Sequence, residues 1–150
     1  MAYSRALQIQ PTQLAQFEEV AQAQFCGSII DRLLAQHGPA VVHFSKGDVE
    51  VAAIPRVRLR AMVEAALYRG RGRGLSWAST LTAFTLLMFL VSPDFDDHPE
   101  IRRALDDGTV PPDYCMRDIV ESMTDAGWAA IRAESRANDW TSVMAQAASR

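Results

Sequence analysis

From Thr12 to Gln36, the residues Leu14, Phe17, Ala21, Phe25, Ile29 and Leu33 recur at steps of three or four. That spacing puts them on one face and predicts a first long helix. Pro11 and Thr12 suit its start, Gly38-Pro39 its end, and Gly27 inside it costs a little helix stability. The next segment, Ala40 to Pro55, is less regular. It accommodates a short strand or two around a turn at Lys46-Gly47-Asp48, or an irregular connection with part of a helix. From Arg56 helical spacing returns with Val57, Leu59, Ala61, Val63, Ala66 and Leu67. This helix is expected to stop within RGRGRG, Arg69 to Gly74, where glycine can adopt the left-handed conformation that ends helices. An almost wholly apolar helix, Trp77 to Val91, should follow, capped by Ser76 and stopped by Pro93. Shorter helices are expected at about His98 to Leu105, Asp113 to Met123, Asp125 to Ala137 and Asp139 to Ala148. The pattern therefore predicts an all-α fold. Residues 1–150 form a single helical domain of six or seven helices packed around the apolar helix at about 77–91.

The chain has 150 residues, 49% of them hydrophobic and 22% charged, with a net charge of -3. These values fit an ordinary globular domain with one core and count against a general nucleic-acid binder, which is usually basic. The segment Leu75–Val91 is too short and carries too many hydroxyl residues for a membrane span, which needs about 20 mostly apolar residues. No apolar signal segment appears near Met1, and the expected location is the cytoplasm, with no membrane partner. Cys26 and Cys115 are the only cysteines. They lack any C-x-x-C or H-x-x-x-H spacing and read as two buried thiols.

The densest polar stretch is SPDFDDHPEIRRALDD, Ser92 to Asp107. As a calcium loop beginning at Asp94 it fails at position six, which is Pro99, and at position twelve, which is Leu105. Only His98 is a local nitrogen donor, too few for a zinc or iron site. As a catalytic carboxylate pair it lacks an environment that would drive two pKa values apart, because Asp94, Asp96 and Asp97 fall in a proline-bounded loop expected to be wet. A helix start explains more of the letters. Asp97 and Glu100 have the spacing of a capping box, Pro99 suits the first turn, and Arg102-Arg103 suit the far end of the helix dipole. Asp94 then closes the Ser92-Pro93 turn, and Phe95 points inward as an anchor.

RGRGRG runs toward a helix start, where free N–H groups and arginines could hold a phosphate. It lacks the lysine and strand context of a nucleotide loop. The plainer alternative is a glycine-capped loop with its arginines in solvent, where Arg69, Arg71 and Arg73 could meet an acidic protein partner. Ser28, Ser45, Cys26 and Cys115 lack the surroundings of a nucleophile. Trp128 and Trp140, on the C-terminal helices, are core residues or partner contacts. No catalytic residue, metal ligand or cofactor follows from these patterns.

Three segments together carry a resemblance. They are Gly74-Leu75-Ser76-Trp77 with Leu81, Phe84 and Leu87-Met88-Phe89; Pro93, Phe95-Asp96, His98-Pro99 and Ile101-Arg102; and Val110 to Asp113. The combination resembles small helical proteins encoded in proteobacterial type VI secretion effector loci, best between about Arg56 and Asp113. It implies a non-enzymatic adaptor or co-chaperone that binds an effector, or the effector's chaperone, before loading. It also implies that the motif residues, Trp77, Phe84, Phe89, Phe95, Asp96 and Pro99 among them, are architectural. Competing expectations are an immunity protein that blocks a cognate toxin and, less well matched to the charge, a nucleic-acid binder using RGRGRG. An exposed side of the first helix could also form a homodimer.

Overall fold

The computed structural model describes residues 10–135 and 139–148. It is mostly helical but contains one short sheet, so the all-α expectation needs that amendment. In chain order the elements are α1 (Pro11–His37), β1 (Val41–Phe44), β2 (Gly47–Glu50), α2 (Arg56–Gly72), α3 (Ala78–Leu90), α4 (Pro99–Leu105), α5 (Pro112–Ser122), α6 (Asp125–Glu134) and α7 (Trp140–Ala148). Single 3-10 turns at Val51–Ala53 and Phe95–Asp97 join some of them. The expected extension of α6 through Ala137 lies partly outside the described residues.

Of the two alternatives for residues 40–55, a hairpin forms. β1 and β2 pair antiparallel from Val41 opposite Glu50 to Phe44 opposite Gly47. The turn is therefore Ser45-Lys46, one residue earlier than expected, and Gly47 supplies the positive φ of 134° that follows it. Val42 and Phe44 alternate inward while Val41 and His43 face out, the period of a half-buried strand.

α3 is the spine of the core. Thr80, Leu81, Phe84, Thr85, Leu86, Met88 and Phe89 are buried on it. α2 crosses it closely at Gly70, where a Cβ would meet Leu81 Cδ2 at 3.1 Å and Phe84 Cδ1 at 3.2 Å. Phe95 enters from the following loop to lie 5.0 Å from Phe84, as its anchoring role requires. Trp140 closes the core from α7, fully buried with its ring 4.5 Å from Phe89. In α2, Leu59, Val63, Ala66 and Leu67 face this core as their spacing implies, but Val57 is 86% exposed. In α1 the predicted stripe is buried only at its C-terminal end, at Ile29 and Leu33, while Phe17 is 63% and Leu14 49% exposed. Helical spacing identifies a face but not where the core beneath it stops.

The ends of α3 are capped by other helices. Ser76 does not act as the N-cap. Trp77 holds that position without a side-chain hydrogen bond. Instead the carboxylate of Asp113, from the first turn of α5, accepts from Ser76 N at 3.0 Å, Trp77 N at 3.1 Å, Ser76 Oγ at 2.8 Å and Thr80 Oγ1 at 2.5 Å. Gly74, at φ +93°, turns the chain back against Pro112 and so brings these groups together. At the other end, Arg132 of α6 donates from Nε to Val91 O at 3.1 Å and from Nη2 to Leu90 O. An acid at the N-terminus and a base at the C-terminus both complement the helix dipole.

Burial by itself would raise the Asp113 carboxyl pKa, but the hydrogen bonds from Thr80, Trp77 and Ser76 outweigh it and hold the pKa below the usual carboxylate value. A lowered folded-state pKa gives stability that is full above the unfolded value of ~3.9 and is lost as pH falls through the folded one. Asp113→Ala should lower stability at neutral pH by roughly 1–3 kcal/mol, because it strands the buried Thr80 hydroxyl and the part-buried amides of Ser76 and Trp77. Urea unfolding of both proteins across the acid range should show that gap narrowing below pH ~4. A gap independent of pH would contradict the capping role.

Candidate functional site

The acidic stretch and RGRGRG are two halves of one cluster. Arg69 and Arg73 lie four residues apart at the C-terminal end of α2 and so project from one side of it. The 3-10 turn after α3 presents Asp96 and Asp97 to them. Arg69 Nε lies 2.9 and 3.0 Å from the two carboxylate oxygens of Asp96, and its Nη2 lies 2.8 Å from Asp97 Oδ2. Arg73 Nε lies 2.8 Å from Asp96 Oδ2, and its Nη2 lies 2.5 Å from Asp97 Oδ1. Asp96 has no solvent exposure, and the two arginine side chains are under one-fifth exposed. Burial works against the charge on Arg73, but Asp96, Asp97 and Asp106 together hold its pKa above the ordinary arginine value.

Two expectations are corrected here. Asp97 does not form a capping box with Glu100; the N-cap of α4 is His98, whose Nδ1 accepts from Glu100 N at 3.3 Å while its Nε2 pairs with Glu134 at 2.6 Å. The loop is also dry at Asp94 and Asp96, though Asp97 stays half-exposed: Asp94 is buried and takes the hydroxyls of Ser92 and Ser135. A cap contributes about 1 kcal/mol, whereas an unpaired buried charge costs several, so the arginines decide where these carboxylates point. Arg69 and Arg73 are thus not the solvent-facing arginines expected for an acidic partner. Arg71 remains exposed, with Nη2 3.0 Å from Gln22 Oε1. Among the described residues no group of three His, Cys, Asp or Glu side chains could hold a metal ion. Cys26 is a buried free thiol whose pKa is raised, first of all by that burial. Cys115, only half-buried, donates weakly to Val110 O at 3.7 Å.

Among the described residues two surface features bear on a binding role. One is an aromatic platform where α5 meets the start of α3. The Tyr114 ring stands edge-on to Trp77 at 4.8 Å, and the Arg117 guanidinium lies 5.0 Å from the Tyr114 ring centre. Tyr114 and neighbouring Val110 are each 40% exposed. The sequence marks Trp77 and Val110 but not Tyr114 or Arg117, because the pairing depends on the Asp113 bridge between α3 and α5. The other feature is a groove of about 550 Å³ along the open side of α3. Ala83, Leu87, Leu90, Val120 and Trp128 line it, with Arg32 of α1 at its rim. Trp128 is half-buried there, 6.2 Å from Phe95. Trp140, the other tryptophan considered for a partner, is wholly internal.

Removing Asp96 leaves two largely buried guanidinium groups short of a counter-charge. Asp96→Ala should destabilise by about 3–5 kcal/mol, while Arg71→Ala should stay within about 0.5 kcal/mol of the parent. Chemical denaturation of both variants checks the contrast; equal effects would contradict the internal role of the cluster. No protein-family model, curated protein or solved structure matches this chain.

Proposed function

We propose that this chain works by protein contact, as an adaptor or co-chaperone of the type VI secretion system, the role implied by the resemblance around Arg56 to Asp113. The observation that supports a contact role is the Trp77–Tyr114–Arg117 platform, in which Tyr114 and Arg117 are exposed and Trp77 is half-buried. Tryptophan, tyrosine and arginine are the residue types that dominate binding hot spots, because each joins a large apolar surface to a polar tip. Here they are held by a rigid bridge between two helices, so little ordering entropy is lost on binding. Its aromatic faces and guanidinium fit the surface of a protein partner. An immunity role would use the same surface against a toxin and is separated by a protection assay.

Affinity capture from the native host with tagged protein, followed by mass spectrometry, tests this reading. Capture of a secretion effector or its chaperone is expected, with at least tenfold loss in a Tyr114→Ala, Arg117→Glu double variant of unchanged fold, about 1.4 kcal/mol or more of binding energy. Recovery of no secretion component, or capture untouched by the double variant, would contradict it. Co-purifying nucleic acid released by salt would point instead to the basic-loop reading.

A further inference from the structure

One face of α1 is bare along its whole length. Leu14, Phe17, Ala21, Gln24, Ser28, Asp31 and Ala35 follow at alternating steps of three and four, and every one is exposed. This is the spacing of a seam along which two helices pack nearly parallel or antiparallel. Its ends differ. The N-terminal end is apolar and acidic, with Leu14 and Phe17 beside Glu18 and Glu19; the middle is small, with Ala21 and Ser28; the C-terminal end carries Arg32 at the rim of the α3 groove.

We propose that this face pairs with a second copy of the chain, antiparallel about a two-fold axis near Gln24, so that Phe17 of each copy seats in the α3 groove of the other. The register follows from the seam. With the axis between Gln24 and Phe25, Phe17 of one copy falls opposite Arg32 of the other, Leu14 opposite Ala35, and Ala21 opposite Ser28. The small residues Ala21 and Ser28 meet about one turn to either side of the axis, flanking Gln24. Arg32 and the groove share one location, so a single rotation brings ring to groove and Glu18-Glu19 to Arg32 together. Among the described residues the guanidinium of Arg32 has only a long 3.5 Å bond to Gln36. Asp31, which would oppose the incoming glutamates, already has its charge met by Arg56 at 3.0 Å. A parallel pairing would instead set Glu18 against Glu18 and Arg32 against Arg32.

The area is sufficient. α1 has 27 residues, about 40 Å at ~1.5 Å per residue, and a strip about 10 Å wide covers roughly 400 Å² on each copy. Two phenylalanine rings seated in two grooves carry the total past the roughly 1,000 Å² that a specific interface needs.

This pairing is independent of the Trp77–Tyr114–Arg117 platform, and its test needs no secretion component. Light scattering coupled to gel filtration should give a dimer that dissociates on dilution. Phe17→Glu, at a position largely in solvent within one chain, should shift it to monomer with unchanged circular dichroism and melting temperature. Under oxidation, Gln24→Cys should cross-link across the axis. Leu14→Cys should not, because the two copies of that residue lie about 30 Å apart in this arrangement. A monomeric parent protein, a Phe17→Glu variant that still dimerises, or Leu14→Cys cross-linking as readily as Gln24→Cys would each overturn the proposal.

Discussion

The fold depends on satisfying the ends of a helix that cannot satisfy them itself. α3, reading ASTLTAFTLLMFL, has no acid or base to place at either terminus. Its terminal N–H and C=O groups have no partners within the helix and need them from elsewhere. Asp113 and Arg132 provide them from α5 and α6. These two side chains therefore fix where the second half of the chain packs. The aromatic platform depends on the first of them, since Tyr114 is the residue after Asp113.

The second organising constraint is the buried charge cluster. Two arginines from the end of α2 and two aspartates from the turn after α3 balance one another, and Asp96 is wholly out of water. Such a pairing is better at specifying one arrangement than at adding stability. Here it locks the two chain segments on either side of α3 to each other. Within RGRGRG the alternation follows from position: Arg69 and Arg73 turn inward, Gly70 lets α3 approach, and Gly74 takes the positive φ of the turn. Gly72 and Arg71 face outward, Gly72 with open space beside it and Arg71 reaching Gln22 of α1.

The sequence made the helices legible because each carries its own period and stop signals. The end of α2 within RGRGRG and the inward anchor Phe95 were readable in that way. The partners of polar residues were not. Asp97 and Glu100 have the letters of a capping box, yet Arg69 lies 28 positions away from Asp97 and takes its carboxylate. Ser76 has the letter of an N-cap, yet the cap comes from Asp113, 37 positions on. Local pattern reports what a residue can do for its neighbours. Burial then decides among long-range partners, because an unpaired buried charge costs more than a lost cap. The same limit applies to α1, where one continuous spacing covers a buried half and a bare half. It applies also to the hairpin, where Val42 and Phe44 alternate inward but four residues are too few for that alternation to stand out in the letters.

The central claim is that the start of α3 is held by a carboxylate from another helix rather than by its own residues. Native-state hydrogen exchange of the Ser76 and Trp77 amides measures this directly. If Asp113 caps the helix, both amides should exchange slowly, at rates approaching those of the α3 interior, and should become fast in an Asp113→Asn protein that stays folded. Fast exchange of both amides in the parent protein, with the rest of α3 protected, would contradict the account.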